Sequence, residues 1–185
     1  MKQSVFLKKS NKSYGGELLK TRKGRSQPRP LDTRNTMHLV LRSSKATGEW
    51  SFKKTKNEIK IREIVSKFST KYGVRILSLA NVGNHLHFQI KLSNRFAYKP
   101  FIRAITAAIA MGVTGTSRWN KLKKEAKDRF WDYRPFTRVV QSFRAFLNLR
   151  DYIQINQLEG LGTSRVEARF ILESKSFRTA YGDSC

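Results

Sequence analysis

The sequence predicts an α+β domain built on an antiparallel sheet. Of the 185 residues, 39% are hydrophobic and 11% are aromatic, which suffices for the packed core of one domain. Patterns of period two and apolar patterns of helical period follow each other in the order strand, helix, strand, strand, helix, strand, helix. The first six elements have the β-α-β-β-α-β order of ferredoxin-like domains, in which two helices cover one face of the sheet and leave the other face open.

The first strand and the first helix open the domain, which we expect to begin near Asn35. Apolar and polar side chains alternate over 37–42, as in a strand with one buried face. Thr55 and Glu58 have the spacing of a capping box, apolar residues follow at helical intervals, and Gly73 ends the run. These features predict a helix that starts at Thr55.

The remaining elements are two strands joined by a turn, a second helix, a fourth strand and a third helix. They are expected at 74–80, 85–92, 99–113, 134–140 and 143–157. Ser142 is the expected N-cap of the third helix and Gly160 its stop. This helix would cover part of the open sheet face, with an apolar stripe from Phe143 to Ile153 anchored in the core.

The ends of the chain differ from the domain in composition. Residues 1–34 are rich in Lys, Arg, Ser, Gly and Pro, so we expect a largely flexible basic arm that binds phosphate groups. The alternative for the arm is a solvated tail without function. Residues 35–160 form the predicted domain, and residues 161–185, where the pattern weakens, form a C-terminal tail.

The charge balance indicates a polyanionic partner. Lys and Arg number 38 against 13 Asp and Glu, so the formal net charge is +25, with nucleic acid as the first candidate and an anionic membrane surface as the second. The longest apolar run, 104–113, is too short to cross a membrane. No apolar signal core precedes it, so we expect a cytoplasmic protein. The single cysteine, Cys185, excludes a disulfide framework and a zinc site of several thiolates.

Two of the three histidines lie on the same face of one predicted strand. His85 and His87 are two residues apart, so their rings point the same way, which suits two ligands of one divalent metal ion. The alternative is a pair of incidental polar side chains on an exposed strand. The third histidine, His38, is expected at the surface or at a sheet edge.

The third helix carries a tyrosine that could meet these histidines. Tyr152 and Asn156 are four residues apart, so they project from one side of the helix, and Asn156 could offer an amide oxygen to the metal. Two imidazoles and an amide suit Mg²⁺ or Mn²⁺ bound at a phosphodiester, where the ion would enable attack by an otherwise weak phenol nucleophile. The alternative for Tyr152 is a boundary aromatic that packs its ring and exposes its hydroxyl.

Several short segments match the motifs of one known family in order and spacing. They are Gly15-Gly16, Arg29-Pro30-Leu31, Met37-His38-Leu39, Asn84-His85-Leu86-His87-Phe88, Phe130-Trp131-Asp132-Tyr133-Arg134 and Tyr152-Ile153-Gln154-Ile155-Asn156. The segment with two histidines resembles the His-hydrophobic-His motif of the HUH endonucleases. Together the segments resemble the single-tyrosine HUH transposases, including the REP-associated tyrosine transposases, over about residues 15–160.

This resemblance implies a ferredoxin-like fold and a metal-dependent DNA endonuclease and strand transferase of a bacterial mobile element. His85 and His87 would bind Mg²⁺ or Mn²⁺, Tyr152 would be the nucleophile, and Asn156 would be a candidate third ligand. The substrate would be single-stranded DNA near a hairpin, cleaved to a 5′-phosphotyrosine and a free 3′-hydroxyl. The resemblance also implies a nucleoid-associated protein, and it leaves open whether the protein is a monomer or a homodimer.

Departures from the family pattern leave alternatives open. Gly83 stands where the family often has proline. Many relatives carry glutamine where this chain has Asn156, so Gln89 is an alternative metal ligand. Tyr133 is a rival nucleophile to Tyr152.

Basic and aromatic side chains near the motifs are candidates for binding DNA, by following the backbone or by stacking on unpaired bases. They are Lys91, Arg118, Lys121, Lys123, Lys124, Trp131, Tyr133, Arg134 and Arg138. Each could instead belong to the core or to the solvated surface.

Two other functions compete with the transposase. One is a non-catalytic, domesticated transposase-derived protein that binds nucleic acid with steep salt dependence. The other is a phosphoesterase that uses two histidines as acid and base and needs no divalent metal.

Overall fold

A computed structural model describes residues 30–116 and 129–180 of the chain. Its strands and helices, in chain order, are β1 (Thr36–Arg42), α1 (Thr55–Tyr72), β2 (Val74–Asn81), β3 (His85–Leu92), α2 (Tyr98–Thr114), β4 (Phe136–Val140), α3 (Phe143–Gly160) and α4 (Arg165–Ala180). The order of the first six elements is the one that the sequence predicts.

The four strands form one antiparallel sheet in the order β2-β3-β1-β4, which confirms the predicted α+β class. In the pairing of β1 with β3, His38 lies opposite Gln89 and Val40 lies opposite His87. Because β1 is a central strand, His38 lies in the middle of the sheet. The expectation of a sheet-edge position for His38 was therefore wrong, and its side chain is half-buried and not fully at the surface.

The core lies between one face of the sheet and the helices α1 and α2. Alternate residues of β1 and β3, such as Leu39 and Phe88, are fully buried there. The segment Arg95–Thr114 is long and apolar enough to cross a membrane by length and composition alone. Its residues Phe101 and Ile105 are fully buried in the core, so one side of this helix packs within the domain.

The two ends of α1 compare differently with the sequence prediction. Lys54, not Thr55, is the N-cap residue, and no described side chain forms a capping hydrogen bond at the helix start. Glu58 instead forms an ion pair with Arg62 one turn along the helix, at 2.8 Å, so the predicted capping box is absent here. Gly73 ends the helix with a left-handed φ of 62°, as predicted.

Helix α3 lies on the sheet face opposite the core. The Ser142 hydroxyl accepts a hydrogen bond from the Ala145 backbone N–H at 3.1 Å, which confirms the predicted N-cap. At its other end, α3 packs so closely on β2 that a Cβ at Gly160 would lie 2.5 Å from the Asn81 carbonyl oxygen. Glycine is therefore required at position 160, because α3 approaches the backbone of β2 too closely for any side chain.

Two features near α3 depart from the sequence pattern. Phe143, expected in the core, is 76% exposed and stacks on Phe146 at the start of the helix. The region interpreted as a tail contains α4, which packs on α3 with Ala168 buried. Over 165–174, the part of α4 whose burial is described, Ala168 is the only buried residue, which explains the weak periodic pattern.

Candidate active site

Three histidines meet on the sheet face that α3 covers. His38 in β1 and His85 and His87 in β3 alternate with core residues, so their rings project away from the core. The ring centroids of His85 and His87 are 4.8 Å apart. The His87 ring also stacks on that of His38, with 5.3 Å between centroids and 17° between planes. The fold thus gathers every histidine of the chain at one place.

Both histidines of the predicted pair have their Nδ1 atom engaged. His85 Nδ1 lies 2.6 Å from Asn84 Oδ1, and because a carbonyl oxygen only accepts, His85 donates this hydrogen bond. His87 Nδ1 lies 3.1 Å from His38 Nε2. His87 Nε2 is buried and has no hydrogen-bond partner within the described part of the chain. A buried nitrogen without a partner marks a place where a ligand can bind.

The surroundings keep these rings neutral at physiological pH. Burial, and then the charge of Arg138, lower the pKa of His38 to about 4. Burial, and then the neighbouring histidines, lower the pKa of His87 to about 3. Burial and the charge of Arg42 also lower the pKa of His85. Neutral imidazoles keep a lone pair that a metal ion can use.

Helix α3 places Tyr152 against this group. Its ring centroid lies 5.4 Å from that of His87 and 5.9 Å from that of His38, nearly perpendicular to both rings. The Tyr152 side chain is 38% exposed, so it packs on the histidines and still faces solvent. One turn later the buried Asn156 side chain donates a hydrogen bond to the Tyr152 carbonyl oxygen at 2.7 Å. The assignment of Asn156 as a third metal ligand stays a prediction.

The residues present could bind a divalent ion, but they supply only part of its ligand set. Among residues 30–116 and 129–180, no cluster of three or more His, Cys, Asp or Glu side chains could hold a metal. His85 and His87 nevertheless offer two neutral imidazoles, and one nitrogen of His87 has no partner within residues 30–116 and 129–180. Water and substrate oxygens commonly complete the shell of Mg²⁺ or Mn²⁺.

The alternative ligand Gln89 is committed to contacts within the sheet. It is buried, and its amide oxygen accepts a hydrogen bond from the Ser78 hydroxyl at 3.3 Å. Its amide nitrogen donates to the Thr36 hydroxyl at 3.5 Å. These contacts engage both ends of the Gln89 amide and weaken the alternative in which Gln89 replaces Asn156 as the third ligand.

An open pocket of about 700 Å³ lies in front of the histidines. Its lining includes His38, Arg42, His85, His87, Asp132, Tyr133, Arg134 and Tyr152. The Asp132 carboxylate accepts hydrogen bonds from the Ser44 backbone N–H and hydroxyl, both at 2.8 Å, and pairs with Arg42 at 3.6 Å. These bonds tie the segment 130–134 to the end of β1 and so bring Tyr133 and Arg134 to the pocket.

A second groove of about 710 Å³ adjoins the pocket between β4 and α3. Arg138, Phe136 and Asn148 line it, and Tyr152 and His38 line both cavities. Tyr152 therefore stands between two neighbouring depressions, each with an arginine in its lining.

The predicted DNA-contacting residues fall into four groups. Tyr133, Arg134 and Arg138 line the two cavities, and Lys91 is exposed near the end of β3. Trp131 does not join them, because its indole N–H donates to the Thr106 carbonyl at 3.0 Å and its ring packs on Phe52. Outside the described residues lie Arg118, Lys121, Lys123 and Lys124.

Comparisons with known proteins agree with this architecture. The sequence model of the family described as "Transposase IS200 like" matches residues 33–156. No curated protein matches the chain. The solved structure of a REP-associated tyrosine transposase bound to a REP hairpin is similar at 15% identity, with a TM-score of 0.57 over 74% of each chain, which supports the fold.

A second solved structure is similar at a lower level. It is a protein from Deinococcus radiodurans R1 that was provisionally assigned as a transposase, at 17% identity over 74% of this chain and 98% of that one. The TM-score of this match is 0.45.

Proposed function

Because the chain belongs to the IS200-like transposase family, we propose that it cleaves and rejoins single-stranded DNA with the help of a divalent metal ion. One observation carries this proposal. The ring of Tyr152 lies beside His38 and against His87, whose Nε2 atom is buried and has no partner among the described residues. A phenol and a metal-ligating nitrogen at this distance are the two groups that phosphodiester transfer to tyrosine requires.

His85 and His87 would hold Mg²⁺ or Mn²⁺ through their Nε2 atoms, with Asn156 proposed as a third ligand. When bound, the ion would offset the charge of the scissile phosphate and polarise its phosphorus. Tyr152 Oη forms a bond to phosphorus as the bond from phosphorus to the 3′-oxygen breaks. The phenol proton passes to water, and the 3′-oxygen takes up a proton. The products are a 5′-phosphotyrosine and a free 3′-hydroxyl, and the reverse step rejoins strands.

The charge around the site supports a nucleic-acid substrate. Arg42 and Arg134 line the pocket in front of the histidines, and Arg138 lines the groove beside it. A single strand that passes Tyr152 would therefore meet guanidinium groups on both sides of the scissile phosphate. Since the similar solved transposase binds a REP hairpin, we propose hairpin-containing DNA as the substrate of this chain too.

The test uses end-labelled single strands that contain hairpins from the flanks of the gene. Wild type, Tyr152→Phe and Tyr133→Phe are incubated with Mn²⁺ or with a chelator and run on denaturing gels. A labelled adduct is expected for wild type and Tyr133→Phe with metal, and none is expected for Tyr152→Phe.

The other outcomes assign the function differently. An adduct that persists in Tyr152→Phe and disappears in Tyr133→Phe would move the nucleophile. Cleavage that is unaffected by chelator would favour the phosphoesterase. Tight binding without any adduct would favour the non-catalytic nucleic-acid-binding protein.

A further inference from the structure

The contact between His38 and His87 joins two strands at the centre of the sheet. His38 Nε2 lies 3.1 Å from His87 Nδ1, and His87 Nε2 is the buried nitrogen without a partner in the described part of the chain. We propose that His38 is a positioning residue, which accepts a hydrogen bond from His87 Nδ1–H and so leaves the Nε2 lone pair of His87 free to bind a metal ion.

The direction of this hydrogen bond decides what His87 can do. If His38 donated, the proton of a neutral His87 would sit on Nε2, and the site would contain an unpaired, buried N–H that cannot ligate a metal. Buried N–H groups without a partner are rare in folded proteins. If His87 donates, its Nε2 carries a lone pair that a cation satisfies. A ligating histidine commonly donates its other ring N–H in this way, which fixes both tautomer and ring orientation.

The neighbouring histidine shows the same arrangement with a different acceptor. Asn84 Oδ1 accepts from His85 Nδ1 at 2.6 Å, which leaves His85 Nε2 as the nitrogen with the lone pair. With His38 as the acceptor for His87, His85 and His87 both carry their free lone pair on Nε2. The histidine pair then has one matched tautomer, set by Asn84 on one side and by His38 on the other.

Packing holds the His38 ring in the orientation that this role needs. It stacks on His87 and meets the rings of Phe136 and Tyr152 edge-on, at 6.0 and 5.9 Å between centroids. Its place in β1, opposite Gln89 and diagonal to His87, is fixed by the strand register. A fixed acceptor restrains the donor ring more strongly than a mobile water molecule would.

The first experiment reads the tautomer directly in the metal-free, full-length wild type. Nitrogen-15 NMR of the imidazoles at pH 7.5 distinguishes a protonated from a bare ring nitrogen, and the chain has only three histidines to assign. Assignment uses the signals lost in His38→Phe and in His85→Gln. We expect His87 to be protonated at Nδ1. A His87 ring protonated at Nε2 in the wild type would overturn the proposal.

The second experiment compares two substitutions of His38 by Mn²⁺ titration, read by electron paramagnetic resonance. His38→Gln keeps a hydrogen-bond acceptor, whereas His38→Phe keeps an aromatic ring and loses the acceptor. The role as an acceptor predicts Mn²⁺ affinity near that of wild type for His38→Gln and about 10- to 100-fold weaker affinity for His38→Phe. Wild-type affinity in His38→Phe, or equal loss in both variants, would contradict it.

This inference rests on the proposed function for the identity of the ligand, and the two experiments separate the failures. If wild type binds no Mn²⁺, the metal-dependent function fails, and the NMR measurement still decides the hydrogen bond between His38 and His87. If wild type binds Mn²⁺ and His87 carries its proton on Nε2, the role of His38 fails and the proposed function stands.

Discussion

The ring of Tyr152 meets that of His87 at 88°, with 5.4 Å between their centroids. Helix α3 supplies the tyrosine and strand β3 the histidine, so the two groups of the proposed chemistry are held by separate elements. A substitution in one element should therefore remove one part of the activity and leave the other part in place.

Tyr152→Phe and His85→Ala test this separation. Tyr152→Phe should form no covalent adduct yet keep wild-type Mn²⁺ affinity, because it removes only the hydroxyl. His85→Ala should lower Mn²⁺ affinity more than the roughly 10- to 100-fold that is typical of outer-shell changes, because it removes a ligand. Mn²⁺ titration and denaturing gels measure the two properties. An equal loss of Mn²⁺ affinity in both variants would show that the tyrosine hydroxyl is itself part of the metal site.

From the sequence, the residues on each face of a strand or helix could be predicted better than the strands that lie next to one another in the sheet. Alternation along β3 placed His85 and His87 on one face, and helical spacing placed Tyr152 and Asn156 on one side of α3. The prediction failed for His38 because its neighbours depend on the long-range pairing of β1 with β3 and β4. The β-α-β-β-α-β order already makes β1 a central strand, so combining that order with the alternation at 37–42 would have found His38.

Trp131 shows a second limit of sequence reasoning. The aromatic-basic segment 130–134 matches a family motif, but some of its side chains pack in the core and others line the pocket. Trp131 and Phe130 pack on Phe52, whereas Tyr133 is 47% exposed and lines the pocket. The backbone over 129–135 is irregular, so it has no period from which this division could be predicted.

The free energy of unfolding of the metal-free protein should decrease as the pH falls. The decrease should begin at a pH above the range in which carboxylates titrate. The pKa of His38 is lowered from 6.5 to about 4 and that of His87 to about 3, so below pH 6.5 the unfolded chain binds protons that the folded chain does not. Stability is therefore fully present above pH 6.5 and is lost as the pH falls. The slope between pH 6 and 5 should approach about 1.4 kcal/mol per pH unit for each histidine.

Urea denaturation of the metal-free protein at pH 7, 6 and 5 measures this slope. His87→Phe is the control, and its curve should be flatter because one of the two histidines is gone. Equal free energies of unfolding at pH 7 and pH 5 in wild type would contradict the neutral, buried state of these rings.

Gly160→Ala should destabilise the protein and impair cleavage. The added Cβ would lie 2.5 Å from the Asn81 carbonyl oxygen, and a backbone atom cannot move aside cheaply. We expect a loss of about 1–3 kcal/mol, with α3 and hence Tyr152 displaced from the sheet. Urea denaturation and the adduct assay measure the two effects.

Gly112→Ala in α2 is the matched control. Its Cβ would meet the flexible Lys60 side chain at 2.8 Å and the end of the Ile64 side chain at 3.3 Å, and no backbone atom is among these neighbours. The helix-propensity gain of alanine, about 0.5–1 kcal/mol, should offset these contacts. If the two alanine variants had equal stability, close packing of α3 on β2 at Gly160 would not be what fixes the helix.

Arg138→Gln should weaken binding of single-stranded DNA with little dependence on sequence. Arg138 is exposed on β4 and lines the groove beside Tyr152, where a guanidinium group can contact a phosphate. Loss of one such contact should reduce the slope of log affinity against log salt concentration by about 0.7. Fluorescence anisotropy over a salt series at pH 7.5 measures the slope, since His38 is neutral there with or without the nearby charge.

Arg62→Gln provides the matched control for the salt series. Arg62 is exposed on α1, on the far side of the sheet from Tyr152, and pairs with Glu58. Its removal subtracts the same charge, so any effect of net charge alone appears equally in both variants. A change in slope that is confined to Arg138→Gln would support a DNA path through the groove between β4 and α3. Equal slopes in the two variants would exclude Arg138 from the path and direct the search to Arg42 and Arg134 in the adjoining pocket.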